Sequence, residues 1–228
     1  MNENRILVVD DEPQIQRFLH PALTASGYDV MTAATAADAE RLIATSAPDL
    51  VILDLGLPDK DGKEVIRTVR AFSEVPIIVL SARDREAEKI ASLDLGANDY
   101  VEKPFGIGEL LARVRTALRQ KAAGTSVPSV FESNGLVVDM VKRVVMLNGE
   151  EVHLTRKEYQ LLVHLVLHPG LVVTHRQLLA SVWGAAHLED LHYLRVFVGQ
   201  LRAKIEQDPN QPHFIRTEPG VGYRFIAS

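Results

Sequence analysis

Short apolar runs that alternate with helical periodicity most constrain how this chain can fold. In the first half the runs fall at Arg5–Val9, Tyr28–Thr32, Leu50–Leu53, Val75–Leu80 and Asp99–Val101. Between them Ile15, Phe18, Leu19 and Ala22 recur at i, i+3, i+4 and i+7, the spacing of one face of an amphipathic helix. Val65, Ile66 and Val69, and then Ile107, Leu110, Leu111 and Val114, line a face in the same way. Strands that alternate with helices imply a parallel sheet covered on both faces. The expectation is a five-stranded, doubly wound α/β domain over residues 1–121.

The alternation stops near Arg119. Gln120 to Val130, QKAAGTSVPSV, is small, polar and contains Gly and Pro, so residues 122–128 read as a linker. Residues 129–228 then follow a different grammar. Asn148-Gly149 between strand-like runs signals a hairpin. Thr155–Glu158 (TRKE) and Thr174–Gln177 (THRQ) match the capping box, in which a Thr and a Glu or Gln three residues later exchange hydrogen bonds at a helix start. Leu191–Gln207 is a third helical pattern, with Leu194, Val198, Leu201 and Ile205 on one face. FIRTEPGVGYRFIAS closes the chain with two β-rich runs around a Pro/Gly turn. Three helices flanked by hairpins point to a winged helix-turn-helix domain.

Composition excludes several classes. With no cysteine there is no disulfide framework and no thiolate metal site. No apolar run approaches the roughly 20 residues of a membrane span, and MNENRILVVD has no signal-peptide pattern, so a cytoplasmic location away from membranes is expected. Residues 1–121 carry 15 Lys+Arg against 20 Asp+Glu, and residues 122–228 carry 10 of each. The excess acid lies in the first half, and bulk charge does not announce nucleic acid in either.

The chemistry of the first half lies at the strand ends, where open α/β sheets build their sites. The first strand ends in Asp10 and Asp11, the third in Asp54 and the fourth in Ser81, and the fifth leads into Lys103. Carboxylates gathered at one rim repel unless a cation sits among them, and Mg²⁺ suits oxygen ligands of this kind. An acid beside a metal, a lysine and a hydroxyl can receive a phosphoryl group, with Asp54 as nucleophile. Taken singly these residues have plainer readings: Asp11 as a helix cap before Glu12-Pro13, Asp54 as a solvated strand end, Ser81 as a helix cap and Lys103 as a surface lysine.

In the second half the third helix is the candidate DNA reader. Opposite its apolar stripe it shows His192, Arg195, Gly199 and Arg202, with Lys204 nearby, and the wing carries Arg216, Thr217 and Arg224. Arg suits phosphate oxygens and base edges, and a helix fits the major groove. The alternative is a solvated helical face with scattered charge.

VVDDE, LDLGLPDKDG, VLSAR and DYVEKPF resemble the receiver domain of a two-component response regulator, a flavodoxin-like fold. LTRKEYQLL, LLASVWG, LRVFVGQLRAKIEQDP and IRTEPGVGYRF resemble the effector domain of the OmpR/PhoB class. The resemblance implies Asp54 as acceptor of a phosphoryl group from a sensor histidine kinase. Asp10, Asp11, Asp54 and the backbone carbonyl of Gly56 would hold Mg²⁺, Ser81 and Lys103 would contact the phosphate, Tyr100 would be the switch aromatic, and the Lys103–Pro104 bond would be cis. It further implies a homodimer on phosphorylation, formed through Lys89, Asp94, Asp99, Glu109, Arg113 and Arg115 in intermolecular pairs Lys89–Glu109, Asp99–Arg113 and Asp94–Arg115. The other partners it implies are double-stranded promoter DNA and RNA polymerase. LDLGLPDKDG, KPFGIGEL and HYLRVFVGQLRAKIEQDP resemble the branch that regulates potassium-transport operons. Gly199 and Gln200 stand where many class members are basic, and Pro219 replaces a wing basic residue, which puts individual DNA contacts in doubt.

Two other functions fit parts of the sequence. One is a Mg²⁺-dependent phosphatase with an aspartyl nucleophile, against which Gly56 stands where such enzymes place a second acid. The other is a winged helix that binds protein. The expectation is a regulator rather than an enzyme.

Overall fold

The computed structural model describes residues 4–82, 86–123 and 129–227, and the chain divides into two units, Met1–Gly124 and Thr125–Ser228. Most of the expected linker, 124–128, and Arg83 of the VLSAR motif lie outside the described residues.

In the first unit β1 (Arg5–Val9), β2 (Asp29–Ala33), β3 (Leu50–Asp54), β4 (Ile77–Ala82) and β5 (Asp99–Lys103) alternate with α1 (Pro13–Ala25), α2 (Ala36–Ser46), α3 (Gly62–Arg70), α4 (Glu86–Asp94) and α5 (Ile107–Ala123). The strands pair in the order β2-β1-β3-β4-β5, all in parallel. Ile6–Val9, Leu50–Leu53 and Ile77–Leu80 are buried without a break, because helices cover both faces. Ile6, Val8, Ile52 and Leu80 meet Leu19 and Leu23 of α1 and Leu110 and Val114 of α5. Their alternates point to the opposite face. α1 begins on Pro13, whose missing N–H costs nothing at a helix start. Its N-cap is Glu12 and no side chain caps it, so Asp11 is not spent on that role. With β1 lying between β2 and β3, a crevice opens beyond the carboxyl ends of β1 and β3, at the reversal of strand order.

The second unit opens with an antiparallel sheet, β6 (Val130–Ser133), β7 (Leu136–Asp139), β8 (Val144–Leu147) and β9 (Glu150–Glu151). Two Asn-Gly pairs turn it. Asn148 and Gly149 have φ of 52° and 87°, and Asn134 and Gly135 have 47° and 78°, the paired positive φ of a type I′ turn. Asn148-Gly149 is the hairpin signal noted in the sequence, and Asn134-Gly135 carries the same signal. α6 (Arg156–Val166) and α7 (His175–Trp183) both start on complete capping boxes. α8 (Leu191–Ile205) buries Leu194, Val198, Leu201 and Ile205 against Leu161, Leu165 and Leu178. β10 (Val172–Thr174), β11 (Ile215–Glu218) and β12 (Gly222–Phe225) form a second antiparallel sheet in the order β10-β12-β11, and the last two are the wing.

α8 stops two residues short of the expected end because Glu206 turns out of the helix. Its buried carboxylate accepts from the amides of His213 at 2.7 Å, Phe214 at 3.0 Å and Ile215 at 2.9 Å. The staple fixes the approach to the wing. Among the described residues no helix is long and apolar enough to cross a membrane.

Candidate functional site

Asp10, Asp54 and Lys103, three of the residues at the strand ends, meet in the crevice. Asp54 closes β3 and Asp10 follows β1. Lys103, the last residue of β5, places Nζ 2.7 Å from Asp54 Oδ1, 3.0 Å from Asp10 Oδ2 and 3.3 Å from Glu12 Oε1. The Lys103–Pro104 peptide is cis. Asp10 is fully buried; its other oxygen accepts from the Glu12 amide at 2.9 Å. Burial pushes the Asp10 carboxyl above its ordinary value, the negative charge of Asp54 adds to the rise, and the Glu12 amide and Lys103 oppose it. Burial works to lower the Lys103 pKa, but the hydrogen bonds and charges of Asp54 and Asp10 win and raise it. Lys103 is therefore a cation held by three carboxylates, Asp54 and Asp10 most closely. Ser81, in β4, and Tyr100, in β5, are both buried, and Lys89 Nζ sits 5.3 Å from the centre of the Tyr100 ring.

The donor set suits a hard cation. Among the described residues Asp54, Asp10 and Glu12 bring three carboxylates to Lys103, which leaves negative charge for a divalent ion to offset. The chemistry fits Mg²⁺, while the set is not drawn together. Among the described residues no three Asp, Glu, His or Cys side chains close into a metal-holding group, Asp11 is exposed, and the Lys103 ammonium stands between Asp10 and Asp54. Gly56 contributes its amide, which donates to Asp54 Oδ2 at 2.7 Å.

The charges expected on the outer surface of α4, β5 and α5 are partly internal. Lys89 and Asp99 are buried. Lys89 pairs within its own chain with Glu102 at 2.6 Å. Arg113 pairs within its own chain with Asp99 at 2.8 Å and Glu109 at 2.7 Å. Asp94 and Arg115 are exposed, as a docking surface would require.

The DNA-facing assignments divide in the same way. His192, Arg195, Gly199 and Gln200 are exposed along α8, and Arg216 and Thr217 are exposed on the wing. Three of the assigned side chains are engaged within the chain. Arg224 is buried, bound to Glu218 at 2.7 Å and to the carbonyl of Gly170, because β12 is the central strand of its sheet. Lys204 reaches the other way, to the buried carboxylate of Glu158 at 2.7 Å and the His153 carbonyl at 3.1 Å. Arg202 donates to the Ile215 carbonyl at 3.0 Å and to Thr217 Oγ1 at 2.9 Å, and so ties α8 to the wing. Tyr193 and Val196, which the sequence reading omitted, are 60% and 41% exposed. Their positions opposite the buried stripe of α8 were the available signal.

Comparison with known proteins agrees with this architecture. Residues 6–115 match the family model "Response regulator receiver domain", and residues 149–225 match "Transcriptional regulatory protein, C terminal". The chain is 51% identical over 221 residues to the KDP operon transcriptional regulatory protein KdpE of Escherichia coli strain K12, covering 97% of this chain and 98% of that protein. It is 48% identical over 223 residues to the transcriptional regulatory protein KdpE of Mycobacterium tuberculosis, covering 97% and 99%. Among solved structures, the response regulator DrrB of Thermotoga maritima, an OmpR/PhoB homologue, aligns with a TM-score of 0.51 and 32% identity over 99% of this chain and all of that one.

Proposed function

From the premise that this chain belongs to the OmpR/PhoB class of response regulators, we propose that a sensor histidine kinase phosphorylates Asp54 and that the phosphorylated chain regulates a potassium-transport operon. As a member of that class it is a DNA-binding transcriptional regulator of a two-component system, built from a receiver and a winged helix. The operon is the one named for its Escherichia coli relative, and the assignment belongs to this proposal.

One observation carries the acceptor role: Lys103 Nζ, 2.7 Å from Asp54 Oδ1, is anchored on buried Asp10 at 3.0 Å. An ammonium held there offsets charge on a phosphoryl group arriving at Asp54 and pairs with the acyl phosphate afterwards. Asp10, Asp11, Asp54 and the Gly56 carbonyl would hold Mg²⁺, which when bound neutralises charge on the phosphoryl oxygens. Ser81 would contact the phosphate, and Tyr100 would report its arrival to the surface of α4, β5 and α5. Two receivers joined there would bring two winged helices to adjacent half-sites and raise their effective concentration. His192 and Arg195, with Tyr193 and Val196 beside them, would meet the major groove, while Arg216 and Thr217 would meet the backbone. RNA polymerase is the downstream partner, and the cytoplasm is the compartment that holds both it and the DNA.

The test uses the full chain with a small phosphodonor and Mg²⁺. Intact mass should rise by one phosphoryl group, and Asp54→Ala should abolish the rise. Phosphorylation should then strengthen binding to operon promoter DNA. A chain that takes no phosphoryl group under these conditions, or binds promoter and unrelated DNA alike, is not this regulator.

A further inference from the structure

The loop between Asp54 and α3 is anchored on both sides. Toward α3, the Gly62 amide donates to the Leu55 carbonyl at 3.0 Å, and Asp61 accepts from the Lys63 amide at 2.8 Å. Toward α2, Asp59 reaches across the crevice rim. Its Oδ1 accepts from the Ala36 amide at 2.8 Å and its Oδ2 from the Ala37 amide at 3.0 Å. These are the first two amides of α2, which have no acceptor inside the helix. The helix's own N-cap, Thr35, takes the third, from Asp38 at 3.1 Å, and the Thr35 carbonyl takes the fourth, from Ala39 at 3.0 Å. Asp59 therefore completes the cap from another segment, and it brings a carboxylate to the positive end of the helix dipole.

Lys60 repeats the attachment. Its Nζ stands 2.8 Å from Glu40 Oε1, on the next turn of α2. Leu55 and Leu57, on the way from Asp54 to Asp59, are buried, and the Gly56 amide donates to Asp54 Oδ2 at 2.7 Å. The acceptor carboxylate is thus oriented by a loop that α2 and α3 hold in place.

We propose that Asp59 is a positioning residue for phosphoryl transfer: its grip on the first two amides of α2, seconded by Lys60 on Glu40, fixes the loop whose Gly56 amide aims the Asp54 carboxylate. The inference rests on Asp54 being the phosphoacceptor. Small displacements of a reacting group cost large factors in rate, so a loop freed from α2 transfers more slowly even when the fold survives.

The experiment measures the rate at which phosphoramidate phosphorylates Asp54 in the full chain with Mg²⁺, across donor concentrations, beside the thermal unfolding of each variant. Asp59→Ala should slow transfer on the order of tenfold while remaining folded at the assay temperature. Asp59→Asn, which keeps one acceptor oxygen, should recover part of the loss. Lys60→Glu should slow transfer, and the swap Lys60→Glu with Glu40→Lys should restore it; this pair decides the question if Asp59→Ala does not fold. Wild-type rates in folded Asp59→Ala, or a charge swap no faster than its single parent, overturn the positioning role and leave Asp54 as acceptor. Failure of the wild-type chain to take a phosphoryl group from any donor overturns the acceptor assignment itself.

Discussion

Arg113 and Asp99 meet within one chain: the guanidinium Nη1 stands 2.8 Å from Oδ2 of a carboxylate that is 1% exposed. The Asp99 Oδ1 accepts from the Tyr100 amide at 2.9 Å, which couples this pair to the proposed switch residue. Removing one partner of a buried pair leaves the other charge poorly compensated, at about 3 kcal/mol. Arg113→Ala should therefore lower receiver stability as well as any dimerisation, and it cannot by itself test the interface. Arg115, exposed on the same helix, separates the two effects. Arg115→Glu should leave the receiver's unfolding free energy in urea titrations within about 0.5 kcal/mol of wild type and shift phosphorylated protein toward monomer in sedimentation velocity. An unchanged dimer with Arg115→Glu would remove this face from the assembly.

Gly62 is required by a close approach rather than by its backbone angles. A Cβ there would lie 2.6 Å from the Asp54 carbonyl oxygen and 2.8 Å from Leu55 Cα. Both are backbone atoms, so relief must come from the acceptor loop itself. Gly62→Ala should destabilise the receiver by about 1–3 kcal/mol, as overpacking does, and should slow phosphorylation beyond what the unfolded fraction explains. Calorimetry beside an intact-mass time course measures both.

Much of this was legible in the sequence because it is local. Strand ends that turn from apolar to acidic place Asp10 and Asp54. TRKE and THRQ announce α6 and α7, whose capping boxes close within four residues. What stayed hidden depends on contacts between distant segments. Asp59 caps a helix that begins 23 residues earlier, and nothing near it in sequence says so. Glu206 looks like one more acid at a helix end until Phe214 and Ile215 fold back onto it. Arg224 reads as a wing cation because alternation alone does not reveal that its strand is central. Arg113 and Asp99 were read as intermolecular partners, and the same complementarity is satisfied here within the chain.

His164 makes the second domain sensitive to acid. It lies on α6 with its ring 5.0 Å from that of His168, centre to centre. Burial, with a smaller contribution from the neighbouring His168, pushes its pKa down to about 4. The unfolded chain takes up this proton near 6.5, and the folded domain only near 4. Stability from neutral His164 is therefore complete above pH 6.5 and is lost as pH falls between 6.5 and 4, by up to about 3 kcal/mol. Trp183, the single tryptophan, belongs to this domain, so its fluorescence in urea titrations reports on it selectively. His164→Leu should flatten the pH dependence across that window; a slope unchanged by the substitution would assign it to other groups.

Two arginines of the winged helix should part company when each is replaced by alanine. Arg195 is exposed on α8, whereas Arg224 is buried against Glu218 and the Gly170 carbonyl. DNA affinity falls with salt in proportion to the phosphates a protein neutralises, and a lost phosphate contact lowers the slope of log K against log salt by about 1. Arg195→Ala should keep the Trp183 unfolding midpoint and weaken binding to DNA selected from random pools, by about 1–3 kcal/mol if it reads a base, or with the salt slope reduced by about 1 if it meets a phosphate. Arg224→Ala should do the reverse. It removes the cation beside Glu218 and the donor to Gly170, lowers domain stability by about 2 kcal/mol, and leaves the salt slope of the folded fraction unchanged. A full salt-slope deficit in folded Arg224→Ala would mean that β12 turns its arginine to the DNA on binding, and that the buried pair with Glu218 belongs to the free protein alone.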